Sequence, residues 1–234
     1  MTDQDFDIDG LARYLHISTQ QVERLVSRGN LPGRKVANKW RFSRAEIHHW
    51  MEERMGLLEE EELSRVEGAL ARADNLEPHE LAIAEMLHPE SIRVELEAKT
   101  RTSVIQEMTQ LAAATGLLWD AGEMAKAVHA REELQSTAMD NGVALLHPRR
   151  PLAQALAEPV LAIGITHRGI PFGGSSRLTD IFFLICSCDD RGHLRTLARL
   201  SRLIASEGFL GNLRSAQDAH EVHELVRQAE AALP

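Results

Sequence analysis

Asn141-Gly142-Val143-Ala144-Leu145-Leu146-His147-Pro148 reads as a tight turn, a short apolar strand and a histidine at the strand's end. Asn-Gly is turn chemistry, because both residues tolerate positive φ. A brief apolar run closed by a proline, which donates no backbone hydrogen bond, suits a strand better than a helix. Working outward, Thr100 to Ala114 and Ala121 to Glu133 carry apolar faces at helical spacing. Val160 to Thr166 and Leu178 to Cys186 read as further strands, with a Gly-rich turn at Gly173-Gly174. A long helix starts near Asp189 or Asp190, and a last one runs from about Asp218 to Ala231. Helices alternating with strands predict an α+β fold, an α/β sandwich with a mixed sheet covered by helices, over residues 81–234.

With 234 residues, 44% of them hydrophobic and 26% charged, the chain has material for one large domain and one small one. Its longest uninterrupted apolar stretch, Ile181 to Cys186, falls far short of the roughly 20 residues that span a bilayer. The first residues are acidic rather than basic and then apolar, so no membrane insertion and a cytoplasmic location are expected. Cys186 and Cys188 fall in a predicted strand and are expected on opposite faces, unable to pair.

The net charge of −9 conceals a local asymmetry. Between Gly10 and Ala45 lie Arg13, Arg24, Arg28, Arg34, Lys35, Lys39, Arg41 and Arg44 against one acid, Glu23. Glu59 to Glu62 form an unbroken carboxylate run that repels polyanions, so residues 56–80 read as an acidic, helical linker. Within that linker Leu63, Val66 and Leu70 have the spacing of a short seam able to pair two chains into a homodimer.

Residues 1–55 form the small domain. Asp7 caps a first helix with Ile8, Leu11, Ala12 and Leu15 on one face. Ser18 and Gln21 make a capping box for a second, in which Val22, Leu25 and Val26 turn inward. Gly29-Asn30 ends that helix, and Arg34 to Val36 and Lys39 to Phe42 form a hairpin about Ala37-Asn38. Ser43 with Glu46 is a second capping box, opening a third helix through Ile47 and Trp50. On the return strand Trp40 and Phe42 alternate with Lys39 and Arg41, so one face packs while the other presents cations.

This order, and above all the run from Arg28-Gly29-Asn30-Leu31-Pro32 to Lys39-Trp40-Arg41-Phe42-Ser43, resembles the excisionase and MerR-like winged helix-turn-helix family. The resemblance implies that Thr19, Gln20 and Arg24 face a DNA major groove, where Gln and Arg match base edges, with Arg28 a further DNA-binding residue on the same helix. Arg34, Lys35, Lys39 and Arg41 would then hold phosphates. A single module offers little binding area, so dimerisation or a second DNA-bound partner is expected.

No Gly-rich phosphate loop, zinc-ligand spacing or nucleophile elbow occurs, and neither metal nor cofactor is expected. What remains is His147, with His193 in the first turn of the helix after Asp189-Asp190, where backbone amides and the helix dipole favour an anion. Arg131 to Thr137, Asn141 to His147 and Asp190-Arg191-Gly192-His193-Leu194 together resemble the type-2 enzyme IIA domains of the bacterial phosphotransferase system, the fructose, mannitol and nitrogen-regulatory class. By that resemblance His147 accepts a phosphoryl group from a phosphorylated HPr-type carrier, His193 is its neighbour, and Arg131 steadies it. Ser136 and Thr137 add hydroxyls, and Arg149 and Arg150 offer positive charge to an acidic donor. The family pattern at this strand end is Pro-His-Gly, whereas this chain has Leu146-His147-Pro148, which lacks one amide.

The expected function is a DNA-binding transcription regulator controlled by phosphorylation of His147, a phosphohistidine carrier rather than a multi-turnover enzyme. Two alternatives stand beside it. One is a phosphocarrier passing phosphate to a sugar-specific partner, and the other is a DNA-binding protein whose IIA-like domain no longer takes phosphate.

Overall fold

The computed structural model describes residues 5–15, 17–43, 46–47, 50–51, 82–173 and 177–233. The chain divides into two compact units, Met1–Glu80 and Leu81–Pro234. The acidic run and the Leu63, Val66, Leu70 seam lie outside the described residues.

In the first unit, α1 (Ile8–Leu15) and α2 (Thr19–Ser27) precede the hairpin of β1 (Arg34–Val36) and β2 (Lys39–Arg41). The Ser18–Gln21 capping box forms as the sequence predicts, the Ser18 hydroxyl accepting from Gln21 N at 3.2 Å and the Gln21 side chain accepting from Ser18 N at 2.9 Å. Glu46, Ile47, Trp50 and Met51 are helical, and the Trp50 indole donates to the Asn30 carbonyl at 2.6 Å, which ties this helix to the turn after α2. Leu11, Val22, Leu31, Phe42 and Ile47 bury as the small core. Gly33 is required there, since a Cβ would meet the Phe42 ring at 2.7 Å. The hairpin turns through Ala37 and Asn38, both at positive φ, which gives the twist that two-residue hairpins need.

The second unit is built on a four-stranded mixed sheet. Its strands are β3 (Leu87–Arg93), β4 (Val143–Leu146), β5 (Val160–Ile170) and β6 (Thr179–Cys186), in the spatial order β3-β5-β6-β4. β3 runs parallel to β5, β5 antiparallel to β6, and β4 parallel to β6. Both faces are covered. Ala144, Leu146, Ala162, Phe182 and Leu184 join Val104, Met108, Met124 and Val128 of α3 (Arg101–Ala114) and α4 (Ala121–Leu134) in one core. The alternate residues Val143, Leu145, Leu161, Ile163, Ile181 and Phe183 are buried as well, and α5 (Asp190–Ala205), α6 (Phe209–Ser215) and α7 (Ala219–Ala231) complete the sandwich. Burial on both sides explains why these strands read as continuous apolar runs rather than alternating ones.

The cysteine expectation is corrected. Strand β6 ends at Cys186, and Cys186 and Cys188 belong to or pack against the same core, as positions two apart in extended chain must. Both thiols are free. Burial first, and Cys188 second, push the Cys186 thiol up to about 12. Among the described residues, no helix is long and apolar enough to cross a membrane.

Candidate phosphoryl site and nucleic-acid interface

The strand that carries His147 is positioned from its start. Gly142 has φ +88, and a Cβ there would meet Asp180 Oδ1 at 2.8 Å and an Arg214 nitrogen at 2.9 Å. Arg214 donates to both Asp180 oxygens, at 2.7 and 2.9 Å, and to the Asn141 carbonyl at 2.7 Å. This clamp joins α6, the start of β6 and the turn before β4, and the hydrogen bond to Asp180 raises the Arg214 pKa. Four strand residues later the chain reaches His147.

His147 and His193 face one another with ring centroids 5.1 Å apart and planes inclined by 51°. Both are buried, at 2% and 1% exposure. His147 Nδ1 lies 2.8 Å from the Leu145 carbonyl. A carbonyl can only accept, so Nδ1 carries the proton, and in the neutral ring Nε2 carries the lone pair. His193 Nδ1 lies 3.2 Å from the Ser187 hydroxyl, which fixes the second ring. Ser187 stands between the two cysteines with no spacing or motif to single it out in the sequence.

The amides at the start of α5 are already engaged. The Asp189 carboxylate accepts from Arg191 N at 3.0 Å and Gly192 N at 2.9 Å. The anion site expected at this helix start is therefore filled by the chain's own N-cap, and His193 is held by the turn it closes, its amide donating to the Asp189 carbonyl at 3.1 Å.

Arg131 is buried near the end of α4 and donates to the Gln135 carbonyl at 2.7 Å. Glu132, also buried, accepts from the Thr137 amide at 3.1 Å and from the Thr137 hydroxyl. Glu132, which stands in the Arg131 to Thr137 motif with no role of its own expected there, spends the Thr137 hydroxyl on folding the loop. The Ser136 oxygen accepts from Ala138 N at 3.2 Å, which leaves its proton available. Ala138 bridges Ala144 in antiparallel sense, so the residues before it, Gln135 to Thr137, run alongside the His147 end of β4. Pro148 is buried, and Arg149 and Arg150 are exposed beyond it. Among the described residues, no three His, Cys, Asp or Glu side chains gather as metal ligands.

In the first unit, Thr19, Gln20, Arg24 and Arg28 are all exposed, while Val22 and Val26 hold α2 to the core. Hairpin register pairs Arg34 with Arg41 and Val36 with Lys39 on one face, and Lys35 with Trp40 on the other. The cations are thus divided. Lys35 sits 5.1 Å from the Trp40 ring centroid, a cation–π contact, and Arg34 forms an ion pair with Asp5 at 2.7 Å. Directly opposed arginines destabilise a hairpin unless an anion intervenes. Asp5 meets part of that need, and Lys39 and Arg41 extend the positive face.

A helix-turn-helix module followed by an α/β sandwich with two facing histidines at a strand end defines a class, a phosphotransferase-type IIA domain carrying an appended helix-turn-helix. Residues 85–229 match the family described as Phosphoenolpyruvate-dependent sugar phosphotransferase system, EIIA 2, and the chain belongs to that family. Residues 6–55 match the Helix-turn-helix domain family. The PTS system fructose-specific EIIABC component of Bacillus subtilis is 25% identical over 151 residues, a match covering 63% of this chain and 23% of that protein. The Nitrogen regulatory protein of Bradyrhizobium diazoefficiens is 26% identical over 153 residues, covering 62% and 95% respectively. Among solved structures, the Nitrogen Regulatory Protein IIA-Ntr from Neisseria meningitidis shares the fold with a TM-score of 0.54 at 22% identity, over 62% of this chain and 98% of that one. IIA mannitol from Escherichia coli does so with a TM-score of 0.53 at 18% identity, over 59% and 97%.

Proposed function

We propose that this chain is a DNA-binding regulator whose IIA domain takes a phosphoryl group on Nε2 of His147, and that the modification alters its grip on DNA. The observation that carries this reading is the Nδ1–H bond of His147 to the Leu145 carbonyl at 2.8 Å, which puts the nucleophilic lone pair on Nε2. In the transfer, that lone pair attacks the phosphorus of a phosphohistidine donor. The new N–P bond forms as the donor's N–P bond breaks, and the electron pair returns to the donor imidazole. The carbonyl acceptor stabilises the positive charge that develops on the His147 ring, so no proton has to leave it. His193, Arg131 and the Ser136 hydroxyl are the candidate contacts to the phosphoryl oxygens. Phosphate adds a charge of about −1.5 to −2 at pH 7, a large perturbation beside two buried rings.

The DNA half rests on the exposed recognition face of α2 and on the like-charged hairpin face, which gains from a phosphate between its arginines. Incubation with a phosphorylated HPr-type donor should give an acid-labile modification that His147→Ala loses. Gel shifts at low salt should weaken in Arg24→Ala and Lys39→Ala. Comparing DNA affinity before and after phosphorylation tests the coupling directly, and equal affinities would remove it.

Two observations favour a second reading. His147 is 2% exposed and Pro148 withholds an amide, both of which oppose transfer in a site that has not opened. A chain that binds DNA but takes no label from any phosphohistidine donor would fit a IIA domain retained without phosphate chemistry.

A further inference from the structure

At the opposite end of the sheet from His147 the strands fork. Leu146 pairs with Leu184, which pairs with Ala162, whereas Val143 pairs with Ile181, which pairs with Ile165. Past Ile165 the β5 ladder is broken by a bulge until Ile170 meets Thr179, and the neighbouring chain leaves after Leu96 N donates to the Ile165 carbonyl at 2.9 Å. Between the diverging segments lies a cleft of about 690 Å³. One wall carries Glu95, Glu97 and Lys99, exposed at alternate positions, and the other carries His167 and Arg168 on the bulge, with Thr166 also lining it.

The cleft is preformed. Glu107 of α3 accepts from Glu97 N at 3.3 Å and Ala98 N at 3.0 Å, and the Ser103 hydroxyl accepts from Lys99 N at 3.1 Å, so the first wall is fixed to a helix. His167 Nε2 reaches Glu95 at 2.7 Å and links the two walls. Thr166 is 7% exposed, and its hydroxyl finds no hydrogen-bond partner among the described residues. An unmet buried hydroxyl is a standing cost that a ligand can relieve, and bulges commonly re-aim side chains beside binding sites.

With Glu95 and His167 satisfying one another, the charged residues that remain in the lining are two cations, Lys99 and Arg168, and one carboxylate, Glu97. The complementary ligand has two carboxylates and one ammonium. We infer that the fork binds a small amino-dicarboxylate, its acid groups on Lys99 and Arg168 and its ammonium on Glu97, at a site separate from His147.

The test is titration of the full chain, isotope-labelled for NMR, with L-glutamate, L-aspartate and glutarate, the last lacking the ammonium. The expected result is saturable binding of an amino acid, with shifts confined to residues 95–99 and 166–171. Glutarate and the variants Arg168→Ala and Glu97→Gln should each bind about tenfold or more weakly, the scale of one lost charged hydrogen bond. Thr166→Val serves as the control for folding, because it removes an unpartnered hydroxyl without removing volume. It should melt no lower than the parent yet bind more weakly. Absence of binding by both amino acids at millimolar concentration, equal binding of glutarate, or binding unchanged in Arg168→Ala would each overturn the inference.

Discussion

Glu230 on α7 is the residue whose loss should cost the second unit most. Its carboxylate accepts from Ile83 N at 2.7 Å, from Ala84 N at 3.0 Å and from Arg199 Nε at 2.7 Å. The two ionic side chains are only 8% and 11% exposed, so solvent cannot replace what is removed. Glu230→Ala leaves a buried guanidinium without this carboxylate and two amides without their acceptor. Breaking one side of a buried pair costs about 3–5 kcal/mol, to which the amides contribute rather than add in full. For a domain of this size that corresponds to a fall in Tm of roughly 6–20 °C. Glu230→Gln should rescue little, because its NH₂ group would confront a donor where the carboxylate offers an acceptor. Replacing both partners, Glu230→Leu with Arg199→Met, should recover a large part of the loss, since the buried charge is then gone. Calorimetry of the full chain reads the transition of the second unit. A Glu230→Ala variant within about 1 kcal/mol of the parent, at the level of an exposed pair, would refute the reasoning.

Gly142→Ala should cost about 1–3 kcal/mol in urea unfolding, since φ +88 and the clamp atoms at 2.8 and 2.9 Å both oppose a Cβ. Cys186 should resist thiol reagents in the native chain at pH 8 and react on unfolding, because its thiol keeps its proton up to about 12. An unfolded thiol ionises near 8.5, so the stability contributed by the raised pKa is complete below that pH and is lost as pH rises toward about 12. Cys186→Ala should accordingly flatten the alkaline decline in stability followed by circular dichroism. On the DNA side, Lys39→Ala should weaken binding to all sequences alike and lower the slope of log K against log salt by about 1, whereas Arg24→Ala should also change which sequences are preferred.

Most elements of this protein were legible locally because each carries its own signal, whereas the strand β3 and the short helix α6 were not. The Ser18–Gln21 box, the positive-φ pair Ala37-Asn38 and the Asn141-Gly142 turn before an apolar run are short-range chemistry, readable within a few residues. His147 and His193 were legible as candidates through their motifs, one after a strand and one at a helix start. Sequence spacing did not reveal that Asp189 fills the amides meant for an anion, that Lys35 leaves the cationic face for Trp40, or that both cysteines share one core.

By itself, then, the sequence determined three of the four strands of the second unit with most of the helices beside them, the cationic helix-turn-helix ahead of the acidic run, and the pair of histidines. Tertiary structure alone decided the rest. It set the 5.1 Å approach of the two rings, the clamp of Arg214 on a turn 73 residues away and the fork lined by Thr166. The physical reason is that these features arise where strands far apart in sequence meet or part. Parallel pairing and β-bulges are properties of the whole sheet, and no local pattern encodes which polar atom will find its partner there.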